Sequence, residues 1–345
     1  MSATPTEFDY LARGQFFLQQ GMIENALVEF NGAISLNRDF APAYYYRGIA
    51  FRNSGDLQRA LQDYTTAIEV NPEYPVAYYA RGVVRRHLGQ FEQALLDYTQ
   101  AIDLEPEDAD FYYARGVAHA SLKHYEQAIA DFTHAIELNP GMPNAYYNLG
   151  IAHRDLGQLE KALEYYTHAI QLQPNDADYR YAMGNLFSDL HDYEKAIEEY
   201  HQAIALVPNF ANAFYNRGIA HRNLGKYSEA ISDFNNALRF GPSFATLYSN
   251  RGTAYADQAD YQAAVEDFNR ALELDPGLAS AYLGRGNCRA SQGQVLEAVA
   301  DFSRAIELRP DFAPAYLARS NAYLRLGEAE KSQTDRAEYS RLTQA

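Results

Sequence analysis

Tryptophan is absent, cysteine occurs once, and basic residues are outnumbered: the 345 residues contain no Trp, one Cys (Cys288), and 29 Lys+Arg against 45 Asp+Glu. One thiol excludes an internal disulfide and any zinc site built on several thiolates, a usage expected of a reducing compartment. A net charge of −16 would repel a polyphosphate backbone, so nucleic acid is not an expected partner. No stretch approaches the roughly eighteen consecutive apolar residues a membrane span needs. The opening MSATPTEFDY has no basic segment followed by an apolar run. The expectation is a soluble, cytoplasmic protein without membrane insertion. Signatures of catalysis are missing too: there is no Gly-rich phosphate loop, no nucleophile elbow, no Ser/His/Asp arrangement and no pair of His flanking a Glu on one helix. No enzymatic activity, cofactor or metal is expected.

What the sequence does have is aromatics and a period. Apolar residues make up 47%, with 29 Tyr and 18 Phe, ample to build a core. Shifting the chain by 34 residues superposes Gly14, Gly48, Gly82, Gly116, Gly150, Gly184, Gly218, Gly252 and Gly286 without insertion or deletion. With Glu7 as first position, residues 1–6 form a tail, nine full repeats run 7–312, and an altered tenth fills 313–345, ending in a capping helix. The twentieth position is Ala from Ala26 to Ala298, and the twenty-seventh is Ala from Ala33 to Ala305. Small residues at fixed helical positions let two helices approach closely. Within a unit, Tyr44, Gly48 and Ala50 mark a first helix and Gly55 a turn, while Ala60, Tyr64, Ala67 and Val70 make the apolar stripe of a second. Pro72 and its equivalents up to Pro310 stop that helix. Each unit reads as an antiparallel helix hairpin, and the chain as an all-α solenoid.

The columns resemble the tetratricopeptide repeat (TPR) family: an aromatic at position four, Gly at eight, Ala at twenty, an aromatic at twenty-four, Ala at twenty-seven and Pro at thirty-two. Departures are local. Arg38 replaces the first Pro, Arg180 replaces one aromatic, and Tyr or Phe stands for the family's frequent Trp. The resemblance implies a right-handed superhelix and proteins or peptides as partners.

Two internal patterns refine this. Arg at position seven (Arg13, Arg47, Arg81, Arg115, Arg217, Arg251, Arg285, Arg319) accompanies an acid at position twenty-three (Glu29, Asp63, Asp97, Asp131, Asp233, Asp267, Asp301, Asp335). An ion pair across each hairpin is the expectation. Where Arg is missing, at Leu149, the acid becomes Tyr165, and the sixth repeat, with Met183 and Glu199, half obeys. His119, His153 and His221 share a column with Phe51, Phe187 and Tyr255, and Cys288 shares one with five alanines, so packing accounts for them. In the tenth unit Ser320 and Ser332 replace Gly and Ala, which suggests that the demand for small residues lapses there and that Ser332→Leu is tolerated. At the other end Phe8, Leu11 and Leu18 are expected to be exposed and to favour a homo-oligomer.

In the family, positions 2, 5, 6, 9, 12 and 13 line the concave wall. Position five gives Tyr45, Tyr79, Tyr113, Tyr147, Tyr181 and Tyr215, position nine gives Ile49, Val83, Val117, Ile151 and Ile219, and position twelve gives Arg52, Arg86, Arg154 and Arg222. Tyr offers area with few rotors and Arg a bidentate clamp, the composition of a binding surface. The alternative is that the tyrosines pack between repeats. The first three repeats carry no acid in these columns, whereas Asp110, Asp155, Asp178 and Asp189 follow, so an acidic segment is expected towards the N-terminal half. TPR co-chaperones that grip chaperone C-termini resemble one another in a Lys at position five, and here that position is never Lys. Asn148, Asn216 and Asn250 match the clamp's sixth position and are expected to bind peptide backbone. A protein-interaction scaffold is the main reading. Self-assembly through the first hairpin and a non-catalytic assembly factor or accessory subunit are the alternatives.

Overall fold

One hairpin shows how the sequence makes its elements in this computed structural model, which describes residues 4–344. Helix α3 (Ala41–Asn53) opens with Pro42 in its first turn, where a missing N–H leaves no bond unmade. Beyond its C-cap Ser54, Gly55 adopts φ +84°, the left-handed conformation that reverses the chain. Asp56 then caps α4 (Leu57–Val70), its carboxylate accepting from the Arg59 N–H. Ala60, Tyr64, Ala67 and Ile68 form the buried stripe of α4, and Pro72 lies just past its end. Among the described residues this pattern runs ten times, from α1 (Glu7–Gln19) to α20 (Ala329–Gln344), with no strand.

The chain divides into two compact units after Pro174, α1–α10 and α11–α20, five hairpins each. In the first unit the twenty-fourth residue lays its ring on the Gly of its own hairpin. A Cβ on Gly48 would stand 2.7 Å from the Tyr64 ring, and one on Gly82 2.7 Å from that of Tyr98. The second unit repeats the device, with Gly184 under Tyr200 and Gly286 under Phe302. The Gly column is therefore a steric demand of an aromatic. Burying each Phe of this column, such as Phe30 or Phe132, stabilises by roughly 1.5–3 kcal/mol.

All eight expected Arg–acid pairs form, at 2.6–2.8 Å. The guanidinium also reaches the preceding hairpin: Arg47 Nη1 donates to Asn31 Oδ1 at 2.6 Å, and Arg319 Nη1 to Ser303 Oγ at 3.0 Å. The two deviant repeats are locally compensated. Arg180, from the fourth position, pairs with Glu199 at 3.1 Å. Tyr165 instead stacks on His153 at 5.2 Å, while Leu149 is fully buried. Cys288 is buried, which pushes its thiol up to about 11.

Two expectations are corrected. Ser332 is buried and hydrogen-bonded, its Oγ 2.9 Å from Ser320 Oγ and its carbonyl accepting from that hydroxyl at 3.0 Å. Ser332 faces Ser320 of its own hairpin, so a small residue is still needed in the last unit, and Ser332→Leu should overpack it. At the other end only Phe8 among the three apolar candidates is exposed. Leu11 and Leu18 are half-buried against the Ala26, Phe30 and Ala50 cluster.

Candidate functional site

Positions five, nine and twelve follow one another at four and three residues and so emerge on one side of a helix. In the first unit α3 carries Tyr45, Ile49 and Arg52, and α5 (Pro75–His87) carries Tyr79, Val83 and Arg86. Helix α7 (Ala109–Ser121) carries Tyr113 and Val117, and α9 (Pro143–Asp155) carries Tyr147, Asn148, Ile151 and Arg154. In the second unit Tyr181 lies on α11 (Ala177–Asp189), and Tyr215, Asn216, Ile219 and Arg222 on α13 (Ala211–Asn223). Every one of these side chains is half-buried, partly packed and partly exposed.

The tyrosines are more firmly packed than a free rail. Each ring tilts over the twenty-fourth aromatic of its own hairpin, as Tyr45 does over Tyr64 at 5.9 Å and Tyr181 over Tyr200 at 5.9 Å. A second aromatic closes the other side: Tyr74 on Tyr45 at 5.4 Å, Phe111 on Tyr79 at 5.1 Å, Phe244 on Tyr215 at 5.2 Å. Burial accordingly raises the phenol pKa values of Tyr45, Tyr79 and Tyr113.

The asparagines also make contacts within the protein. Asn148 donates to the Tyr113 hydroxyl at 3.2 Å, Asn216 to that of Tyr181 at 2.9 Å, and Asn250 to that of Tyr215 at 2.8 Å. These amides join each repeat to the one before it, and Asn216 Nδ2 uses both of its hydrogens, the second on Asn185 Oδ1. A polar cluster the columns did not reveal completes the second unit. Asn185 Oδ1 accepts from both Tyr200 Oη and Asn216 Nδ2 at 2.8 Å. Its sequence signal is weak: the ninth column is Ile or Val in the flanking repeats but Asn again at Asn287 and Asn321.

Repeats two and three lack this bridge. Ala80 and Ala114 occupy the sixth position and pack beside Tyr45 and Tyr79. Arg52 and Arg86 make no ion pair among the described residues. The field changes at the fourth repeat, where Asp110 and Asp108 push the Tyr79 phenol further up. Burial and Asp108 together hold the Asp110 carboxyl above the usual carboxylate range. In the second unit Arg222 donates to Asn250 Oδ1 at 3.3 Å, so it is partly engaged.

Tandem helix hairpins with aromatic-on-glycine packing and a half-buried Tyr–aliphatic–Arg face define an α-helical repeat protein. Models described as "Tetratricopeptide repeat" match residues 41–74, 109–142, 143–176, 211–244 and 245–278, and in a second form 63–95 and 165–198, and a "TPR repeat" model matches 84–123, 184–225 and 286–327. The chain belongs to the tetratricopeptide repeat family. It is similar to the solved structure of a tetratricopeptide repeat protein from Parabacteroides merdae ATCC 43184, with TM-score 0.54 and 20% identity over 72% of this chain and 98% of that one. It is similar to PilF of Pseudomonas aeruginosa with TM-score 0.54 and 20% identity, over 59% of this chain and 92% of that one. YrrB, described as a TPR protein with an unusual peptide-binding site, is 27% identical with TM-score 0.47, over 53% of this chain and 95% of that one. These likenesses concern the fold. No curated protein matches the sequence. Among the described residues, no helix is long and apolar enough to cross a membrane.

Proposed function

We propose that the chain is a scaffold for protein partners that holds an acidic, extended partner segment against the α3 and α5 faces. One observation carries this reading. In a chain of net charge −16 whose eight seventh-position arginines are all paired, Arg52 and Arg86 have no carboxylate of their own. Guanidinium groups on a half-buried surface lined by Tyr45, Ile49, Tyr79 and Val83 suit a ligand with apolar and carboxylate side chains. The test is calorimetric titration with hexaglutamate, hexaglutamine and hexalysine peptides. Binding of the first alone, weakening as salt rises, is expected. Preference for hexalysine, or equal binding of all three, would remove the reading.

A second reading concerns assembly. Phe8 is 64% and Phe16 57% exposed on α1, and Val28 67% and Leu36 56% on α2 (Ile23–Leu36). Apolar exposure of this extent on one hairpin favours a contact there. Ultracentrifugation of wild type against Phe8→Ser with Val28→Ser decides it: a wild-type dimer that the variant loses supports the contact, and a strictly monomeric wild type excludes it.

A further inference from the structure

The twelfth and twenty-fourth columns vary together. Arg52, Arg86 and Arg154 accompany Tyr64, Tyr98 and Tyr166, whereas Leu18, Ala120, Ala256 and Ala290 accompany Phe30, Phe132, Phe268 and Phe302. A phenol is thus present where an arginine is. Both exceptions are explained by a local partner: Tyr200, opposite Ser188, donates to Asn185 Oδ1 at 2.8 Å, and Arg222, opposite Phe234, donates to Asn250 Oδ1 at 3.3 Å.

Geometry accounts for the pairing. The Tyr64 ring lies on Gly48, and four residues further along the same face of α3 is Arg52, so the phenol oxygen points towards the guanidinium. Tyr98, Gly82 and Arg86 repeat this on α5. Tyr64 and Tyr98 are fully buried, yet neither phenol proton has an acceptor; the Arg86 guanidinium lies near enough to the Tyr98 oxygen to act as a donor to it, while the Arg86 Nε is itself buried without a partner. Burial raises both phenols, that of Tyr98 to about 12, while the neighbouring Arg52 and Arg86 pull the other way. A guanidinium can donate to the phenol oxygen but cannot accept its proton, which still needs an acceptor. Where the ninth position is Asn185 the protein supplies that acceptor, and where it is Ile49 or Val83 it does not.

We propose that Arg52 with Tyr64, and Arg86 with Tyr98, form two carboxylate subsites one repeat apart, each seating one acidic side chain of an extended peptide. This rests on the functional reading above and adds the phenols to it. A carboxylate offers acceptors to both donors of a subsite, and the Arg side chain, which changes rotamer within nanoseconds, moves aside to admit it. Specificity follows from the charge and the surplus of donors in the lining: the two guanidinium groups repel a basic segment and favour one that brings carboxylate acceptors.

Tyr64→Phe combined with Tyr98→Phe removes only the two hydroxyls, and the column already accepts Phe at Phe30 and Phe132. With fluorescein-labelled hexaglutamate in an anisotropy titration, the variant should bind at least about tenfold more weakly than wild type, while melting at the same temperature or higher. If it binds like wild type while Arg52→Ala with Arg86→Ala does not, the phenols are not ligand donors, although the functional reading stands. If neither variant changes binding, both readings fall. A lowered melting temperature for the Phe variant would show that the hydroxyls have a partner within the protein, and would overturn the subsites.

Discussion

Arg47 grips Asp63 with two parallel bonds, Nε to Oδ2 at 2.8 Å and Nη2 to Oδ1 at 2.7 Å. Because Asp63 is only 4% exposed, removing the guanidinium strands a buried carboxylate. Arg47→Ala should therefore cost about 3 kcal/mol in urea unfolding. The chain contains its own remedy in Leu149 and Tyr165, which occupy the same two columns. Arg47→Leu with Asp63→Tyr should recover most of the loss, and a double variant as unstable as the single one would show that the pair is not interchangeable with apolar packing.

The turn after each first helix needs a left-handed residue. Seven of these positions are Gly, but Lys123, His191 and Ala259 hold φ of 59°, 59° and 62°. A left-handed non-glycine residue costs about 1–2 kcal/mol, partly offset by the entropy glycine loses on folding. Ala259→Gly should raise the melting temperature and Gly55→Ala should lower it. Shifts of the same sign in both would contradict the conformational account.

Ser320 and Ser332 seal the last hairpin from inside. Ser332→Leu should cost about 1–3 kcal/mol, like Ala196→Leu in a central repeat, because both push a branched chain into a packed helix interface. Ser332→Ala leaves the bond from Ser320 Oγ to the 332 carbonyl in place and should cost about 1 kcal/mol or less. Thermal melts of the three variants provide the comparison.

His119 and His221 titrate below the ordinary histidine value. Burial is the larger cause, opposed by Asp131 and Asp233 and reinforced by Arg115 and His124 around the first, and by Arg217 and Lys226 around the second, where Glu229 adds to the opposition. The unfolded chain binds these protons at about pH 6.5, whereas the folded chain resists them. The contribution to stability is therefore whole above that pH and is lost as the pH falls through the lower folded values. His119→Phe with His221→Phe should lose less melting temperature than wild type between about pH 7.5 and 5.5. Equal losses would assign the acid sensitivity to other groups.

The hairpins were legible because glycine, alanine and proline report backbone and steric demands within one repeat. The Arg–acid pairs were legible because two columns covary inside one hairpin. Relations between repeats were less so. That Asn148 serves Tyr113, thirty-five residues earlier, depends on how hairpins stack, and no spacing rule states that offset. The need for a small residue at Ser332 is not legible because the absence of a following repeat hides its second neighbour, Ser320 of the same hairpin. Tyr64 and Tyr98 read as core aromatics because in sequence a phenol and a phenyl ring fill the same slot, and only the missing acceptor for the phenol proton sets them apart.

The face of repeats two and three is tested most directly by the affinity of labelled hexaglutamate for Arg52→Ala with Arg86→Ala. The charge-matched control is Arg59→Ala with Arg270→Ala, which removes two exposed arginines from second helices. Each desolvated guanidinium–carboxylate contact contributes about 1.5–3 kcal/mol, and exposed pairs contribute little. The first variant should therefore lose at least about tenfold in affinity, and the control should stay close to wild type. Equal affinity for both variants, or an equal loss in both, would contradict a binding face built on Arg52 and Arg86.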